Sequence, residues 1–269
     1  MKDVAVVYMV AGISSRFGGR IKQLIKVGPN GETFMEYSLN QAIQAGFNKI
    51  VFIVGNKTEK PFKELFGSSY KGIPILYTHQ KYDEKERDKP WGTTDALCCA
   101  LKEIDCPFVV CNGDDIYGEN TFRTLFRHLE DSEEEATIGF RLGDVIPKDG
   151  AVKRGIFQIK NGYVQKLVEV FDIIKSNLNI SGTKLDDLCS MNVFALHPET
   201  LKLLNEEVVN FKEEHKGDKK IETLLPNDIS KLIESEKIKM KILTSGDKWI
   251  GVTNPEDEEI VRETLSKKI

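Results

Sequence analysis

Short apolar blocks alternate with amphipathic stretches through the first half of the chain. Continuous apolar runs at 4–10, 50–54, 73–77 and 108–111 predict buried strands. Between them, apolar positions at helical spacing predict helices over 33–45, 59–66, 93–104 and 121–129. Strands that are apolar on both faces and separated by helices predict a mostly parallel sheet covered on both sides, with ligands beyond the carboxyl ends of the strands.

From residue 136 the rhythm changes to short strands joined by turns, at 138–142, 155–159 and 164–168, then 191–196, 239–243 and 249–252. Charged helices are expected at 199–214 and 221–235. Asn254-Pro255 reads as a final helix start, Asn as N-cap and Pro at the first helical position. The 269 residues suffice for one large α/β domain, with a nucleotide-binding half over 1–135 and a substrate-binding half over 136–269.

The first strand runs directly into Ala11-Gly12-Ile13-Ser14-Ser15-Arg16-Phe17-Gly18-Gly19, with Lys22 just beyond. Small residues let backbone N–H groups approach an anion, and Arg16 and Lys22 add positive charge, so this segment predicts a phosphate cradle for a nucleoside triphosphate. Neither the G-x-G-x-x-G spacing of dinucleotide folds nor a G-x-x-x-x-G-K-[ST] loop occurs.

A second chemical signal closes the 108–111 run. Asn112-Gly113-Asp114-Asp115 sets two carboxylates at the tip of a central strand, where Mg²⁺ could take one or two of them and fill its octahedron with phosphate and water. Asp114 is expected on the ion, with Asp115 as second ligand or outer partner. An Asp-Asp turn is the plain alternative. Pro90-Trp91-Gly92-Thr93-Thr94 reads as a loop entering a helix, Thr93 or Thr94 as N-cap, Gly92 allowing a close backbone approach and Trp91 packing.

Composition narrows the partners. A formal net charge of -4 leaves no basic field for nucleic acid, so a small-molecule partner is expected. Five cysteines without C-x-x-C or zinc spacing read as buried thiols of a reducing compartment. No apolar run approaches the roughly 20 residues of a membrane span, and the start of the chain lacks the features of a signal peptide; a cytoplasmic protein is expected.

Together these residues resemble the sugar-1-phosphate nucleotidyltransferases, or NDP-sugar pyrophosphorylases. The likeness is carried by 11–16 with Lys22, by Val27-Gly28-Pro29-Asn30-Gly31-Glu32 leading into Met35-Glu36-Tyr37-Ser38, by Trp91-Gly92-Thr93 with Ala96, by Gly113-Asp114, and by Trp249 ahead of Pro255-Glu256-Asp257. It implies a Rossmann-like mixed sheet with helices on both faces and a smaller strand-rich substrate portion. It also implies an Mg²⁺-dependent single displacement joining an NTP, by family tendency a pyrimidine, to a sugar 1-phosphate or similar phosphorylated small molecule.

The resemblance further implies that Arg16 holds the departing pyrophosphate, Lys22 the reacting phosphates and Asp114 the metal. Ala11, Gly12, Gln80 and Gly92 would frame the base, with Ser14, Ser15 and Thr93 completing the nucleotide set. Gly155, Glu169 and Asn192 would line the sugar pocket; Gly155 could equally just start a strand, Glu169 be a solvated strand end, and Asn192 serve a neighbouring backbone group. A glycosyltransferase using Asp114-Asp115, or a non-catalytic nucleotide-binding regulator, are the alternatives.

Two positions depart from the family pattern. Relatives often carry an Asp, a second metal ligand, where this chain has Gly251 in Trp249-Ile250-Gly251-Val252; Asp247 lies four residues from it, about 13 Å along a strand, far for a direct substitute. After Glu169, Val170-Phe171 replaces a basic residue that contacts the sugar phosphate in many relatives. Lys153, Arg154 and Lys248 are candidates to compensate, and adjacent Lys153 and Arg154 point to opposite faces of a strand.

Overall fold

The computed structural model describes residues 2–12, 17–147, 150–178, 181–252 and 257–267. Its first half contains β1 (Ala5–Met9), α1 (Phe34–Ala45), β2 (Lys49–Val54), α2 (Glu59–Phe66), β3 (Ser69–Tyr70), β4 (Ile73–His79), α3 (Thr93–Cys98), β5 (Phe108–Asn112), β6 (Asp115–Ile116) and α4 (Glu119–Asp131). There follow β7 (Glu135–Ile138), β8 (Phe140–Arg141), α5 (Leu142–Val145), β9 (Ala151–Lys160), β10 (Tyr163–Ile174), β11 (Leu188–Ser190), β12 (Phe194–Leu196), α6 (Pro198–Glu214), α7 (Leu225–Glu234), β13 (Met240–Leu243), β14 (Ile250–Gly251) and α8 (Asp257–Ser266).

Among the described residues twelve strands form one sheet in the order β3-β4-β2-β1-β5-β12-β7-β13-β10-β9-β11-β8. Its central seven strands, β4 to β13, pair mostly in parallel, interrupted where β12 runs antiparallel between β5 and β7. Beyond β13 the pairings turn antiparallel. The fold is the Rossmann-like mixed α/β architecture expected.

Alternation along β1 builds two cores. Val4, Val6, Tyr8 and Val10 enter the layer beneath α1, α2 and α4, with Met35, Phe62 and Phe122. Ala5 and Val7 enter the opposite layer beneath α3, α6 and α7, with Leu97, Leu201 and Leu225. A third, smaller cluster packs Val261 and Leu265 of α8 against Phe17, Val27, Phe34, Ile116 and Val252.

Local chemistry fixes several boundaries. Thr33 caps α1 in a capping box, its Oγ1 accepting from Glu36 N–H at 3.1 Å while Glu36 Oε2 accepts from Thr33 N–H at 2.8 Å. The helix expected over 93–104 ends at Cys98 and continues as turns. Its N-cap is Gly92, not Thr93 or Thr94; their hydroxyls serve α7, Thr93 Oγ1 accepting from Leu225 N–H and Thr94 Oγ1 donating to Asp228. Of the strand expected over 191–196 only 194–196 forms, as β12; Asn192, left-handed at φ 57°, separates it from β11, which ends at Ser190. The strand expected over 138–142 breaks at Gly139, and its end becomes α5.

Of the cysteines, Cys98, Cys106, Cys111 and Cys189 are buried and Cys99 is half-buried; all are free thiols. Among the described residues no helix is long and apolar enough to cross a membrane. The expected start of the last helix at Asn254-Pro255 lies outside the described residues, as do Ser14, Ser15 and Arg16 of the phosphate cradle.

Candidate functional site

At the carboxyl ends of the parallel strands lies a cavity of about 680 Å³. Its lining includes Ala11, Gly12, Lys22, Gln80, Gly92, Thr93 and Asp114, seven of the residues selected from sequence. β1, β4 and β5 deliver Ala11, Gln80 and Asp114 to the same edge, as a parallel sheet must when the chain leaves each strand in the same direction.

Lys22 and Asp114 meet across this cavity. Lys22 Nζ donates to Asp114 Oδ2 at 2.8 Å, and the Lys22 side chain is the better buried of the two, 12% exposed against 38%. The ammonium also lies 5.8 Å from the Phe17 ring centroid. A short helical turn, Lys22–Leu24, holds the lysine, and α8 packs over Phe17 from behind.

Asp115 faces inward instead. Asn112 Nδ2 donates to its Oδ2 at 2.8 Å, and the Tyr117 hydroxyl lies 3.2 Å from the same oxygen and 2.8 Å from the Met191 carbonyl oxygen. Burial, then the neighbouring Asp114 charge, push the Asp115 carboxyl up to about 7. Two adjacent carboxyl groups, one resisting ionisation until positive charge arrives, are the electrostatic setting of a divalent-cation site. Among the described residues no group of three or more His, Cys, Asp and Glu side chains forms a cage, so further ligands would have to come from phosphate and water, as Mg²⁺ accepts.

At position 251, where the resemblance implies another carboxylate, a side chain would have to displace its neighbours. Gly251 pairs with Asp115 across β14 and β6, and a Cβ at 251 would lie 2.2 Å from Trp249 Cζ2 and 3.0 Å from Asp115 Oδ1. The carboxylate bordering that position therefore comes from Asp115. Asp247 is otherwise engaged at the start of α4: its Oδ2 accepts from Thr121 N–H at 2.8 Å and its Oδ1 from Asn120 Nδ2 at 3.1 Å.

Gln80 and Gly92 form a rigid wall. Gln80 Nε2 donates to the Gly92 carbonyl at 2.9 Å and to Asp95 Oδ2 at 3.2 Å, and Asp95 is itself paired with Lys212 of α6. Gly92, at φ 110°, passes so close to Thr223 that a Cβ would lie 2.0 Å from the Thr223 carbonyl oxygen. The close approach anticipated at this glycine is thus made to backbone of the second half of the chain. Arg87 reinforces the contact, donating to the carbonyls of Lys89, Asp218 and Ile221, its guanidinium 3.4 Å from the Trp91 ring centroid.

Gly155, Glu169 and Asn192 stand apart from the cavity lining. Gly155 lies mid-strand in β9 rather than at a strand start, opposite Glu169 of β10 and Ser190 of β11. A Cβ there would meet Leu167 Cδ2 at 2.5 Å, so a side chain at 155 would have to displace the Leu167 tip. Glu169 is paired with Lys153 at 2.6 Å. Asn192 N–H donates to Ser190 Oγ at 3.2 Å, and its carbonyl oxygen lies 3.4 Å from the Tyr117 hydroxyl. Residues missed from sequence are Asn112 and Tyr117, which hold Asp115, and Glu222 and Leu224, which line the cavity from the second half. Tyr117, three residues past Asp114 and polar only at its tip, is the one a sequence signal could have marked.

The nucleotidyl transferase family profile matches residues 18–258. The chain belongs to the nucleotidyl transferase family. A curated nucleotidyl transferase relative, the UTP–glucose-1-phosphate uridylyltransferase AglF of Haloferax volcanii, is 26% identical over 172 residues, 61% of this chain and 66% of its own length. Three further curated relatives, bifunctional GlmU proteins, are matched over 42% of their length or less. Among solved structures, UDP-glucose pyrophosphorylase complexed with UDP-glucose covers 100% of both chains at TM-score 0.67 and 16% identity. The inositol-1-phosphate CTP transferase of T. maritima covers 99% of this chain and 96% of its own at TM-score 0.66 and 16% identity. At such identity these structures establish the nucleotidyl transferase fold alone.

Proposed function

We propose that this chain is an Mg²⁺-dependent nucleotidyltransferase that joins a pyrimidine NTP to a sugar 1-phosphate or similar phosphorylated small molecule. The observation that carries the reading is the Lys22–Asp114 pair in a cavity at the strand ends, beside the buried carboxyl of Asp115. In the reaction, a phosphate oxygen of the acceptor attacks the α-phosphorus of the NTP while the bond from that phosphorus to the β-bridging oxygen breaks, and pyrophosphate departs in line. No protein nucleophile is needed, so catalysis consists of positioning and charge stabilisation.

Residues 1–135 would supply most of the nucleotide site and residues 136–269 most of the acceptor site. Lys22 would neutralise the reacting phosphates and Arg16 the departing pyrophosphate. Asp114 and Asp115 would hold Mg²⁺, whose charge would offset that developing on the phosphates. Ala11, Gly12, Ser14, Ser15, Gly92 and Thr93 would frame the nucleotide, and Gly155, Glu169 and Asn192 the acceptor.

The pyrimidine preference follows the family tendency, and Gln80 bears on the choice among pyrimidines. With Nε2 engaged by Gly92 and Asp95, Gln80 presents Oε1 as an acceptor, which suits the imide N–H of uracil or thymine better than the ring-nitrogen acceptor of cytosine. The test is a matrix of NTPs against a panel of phosphorylated sugars and polyols with Mg²⁺, read by pyrophosphate release. Release with UTP or dTTP and a sugar 1-phosphate is the expected result. A nucleotide sugar consumed without pyrophosphate release would indicate the glycosyltransferase alternative, and binding of nucleotide with no turnover the regulatory one.

A further inference from the structure

Among the described residues, two buried donors without partners stand near each other, close to Asp115. Arg154 Nε and Trp249 Nε1 are both sealed from solvent and unbonded, and the Arg154 guanidinium lies 5.8 Å from the Trp249 ring centroid. Leaving buried N–H groups unsatisfied costs about 1–3 kcal/mol each, more for a charged group. A pair of such donors in one place calls for an acceptor.

The remaining bonds of Arg154 are to backbone carbonyls, Nη1 to Lys153 at 3.0 Å and Nη2 to Val145 at 3.1 Å, and no carboxylate among the described residues is hydrogen-bonded to it. Burial disfavours its charge, while Cys189 and Asp115 are close enough to favour it. The β9–β10 register places Arg154 directly opposite Val170, on the same face of the sheet. The other two basic candidates are differently placed. Lys153 is on the opposite face, paired with Glu169 and 4.8 Å from the Phe171 ring centroid, and Lys248 is exposed.

We infer that Arg154, with the Trp249 indole N–H, forms the subsite that takes the anionic phosphate oxygens of the second substrate beside Asp115. A guanidinium suits this role because its planar fork offers several donors to a phosphate at once, and an indole N–H adds a neutral one without further charge. The inference deepens the nucleotidyltransferase reading and rests on it for the identity of the anion as the acceptor's phosphate.

The test uses Trp249 as its own reporter. In a Trp91→Phe background Trp249 is the single tryptophan, since the chain has two. Titrating glucose 1-phosphate, and separately inorganic phosphate, should change Trp249 emission saturably. Adding Arg154→Gln should weaken the apparent affinity about thirtyfold, as expected for loss of charged hydrogen bonds. Arg154→Lys, which keeps the charge and loses the fork, should weaken it by a smaller factor and serves if the Gln variant fails to fold.

Calorimetry of UTP binding on the same variants separates the two ideas. Unchanged UTP affinity with lost phosphomonoester affinity supports the subsite. Phosphomonoester affinity within twofold of the parent in a folded Arg154 variant would overturn it. Failure of the parent protein to bind any NTP, with Arg154-dependent phosphomonoester binding intact, would remove the transferase reading and leave the anion subsite standing.

Discussion

β1, β2 and β5 bury nearly every side chain they carry, whereas β9 buries Phe157 alone and β10 only Val164, Leu167 and Ile173. The first set keeps an unbroken parallel register; the second is an antiparallel pair with register shifts between Val164 and Lys166 and between Val170 and Ile173. The contrast separates two design problems. Strands covered on both faces cannot slip or change composition without exposing apolar surface, so the residues at their tips are held to a fixed spacing. A half-exposed hairpin tolerates bulges and substitutions, and there the chain departs from its relatives' expected pattern at Val170 and gathers Arg154 and Lys153 on opposite faces.

If this contrast is right, the largest stability loss should come from the first region. Phe122→Ala, in a side chain packed edge-on to Phe47 and Tyr117, should cost about 3–5 kcal/mol by urea unfolding, while Ile159→Ala on the exposed end of β9 should stay within about 0.5 kcal/mol. Comparable losses at the two positions would break the comparison. Asp114→Asn should lower turnover at least about a hundredfold with circular dichroism and melting unchanged, separating chemistry from fold at a strand tip. Near-normal turnover in the purified variant would remove the metal assignment.

Lys22→Ala should weaken NTP use about tenfold while leaving acceptor binding intact, the opposite of the Arg154 variants. Calorimetry that finds NTP affinity unchanged, together with normal turnover, would refute that role. The smallest effect is expected at His197, between the two regions, where the hydrogen bond its ring Nδ1–H donates to Glu135 and the charges of Glu135, Glu133 and Glu199 raise the imidazole above its ordinary value against the opposing effect of burial. A raised folded-state value means this contribution is complete below about pH 6.5 and is lost as pH rises through the folded value. Urea midpoints should fall over that window in the parent and lose this component in His197→Gln.

The first region was also the more legible in sequence. The run at 4–10 needed no context to be a strand, α2 appears at its expected bounds of 59–66, and Asp114 stands at a strand tip as its neighbours implied. The helix expected over 93–104 exceeds α3 because apolar spacing continues through Ala100 and Leu101, which pack onto the core from turns rather than a helix. Local capping rules select Thr93 or Thr94 as the cap, whereas their hydroxyls bond α7, more than a hundred residues away.

The same limit hid the second half's part in the candidate nucleotide cavity. Nothing in the spacing of Glu222 and Leu224 ties them to Gln80, and nothing local marks Asp247 as the cap of α4 or Asp115 as the neighbour of Gly251. The left-handed Asn192 is the intermediate case. Asn tolerates that conformation better than most residues, but an apolar run on either side argues for an unbroken strand until the pairings of β11 and β12 are seen.

The Arg87 clamp couples these regions in a way that bears on ligand energetics. Its guanidinium gathers carbonyls from 89, 218 and 221 onto the back of the Trp91-Gly92 segment, so one wall of the cavity exists only while a distant stretch of chain stays docked. A ligand that prefers the assembled wall must stabilise that docking by the same free energy by which docking improves its binding. Protection of the 218–223 amides from hydrogen exchange would then report occupancy of a pocket formed largely by the opposite end of the polypeptide.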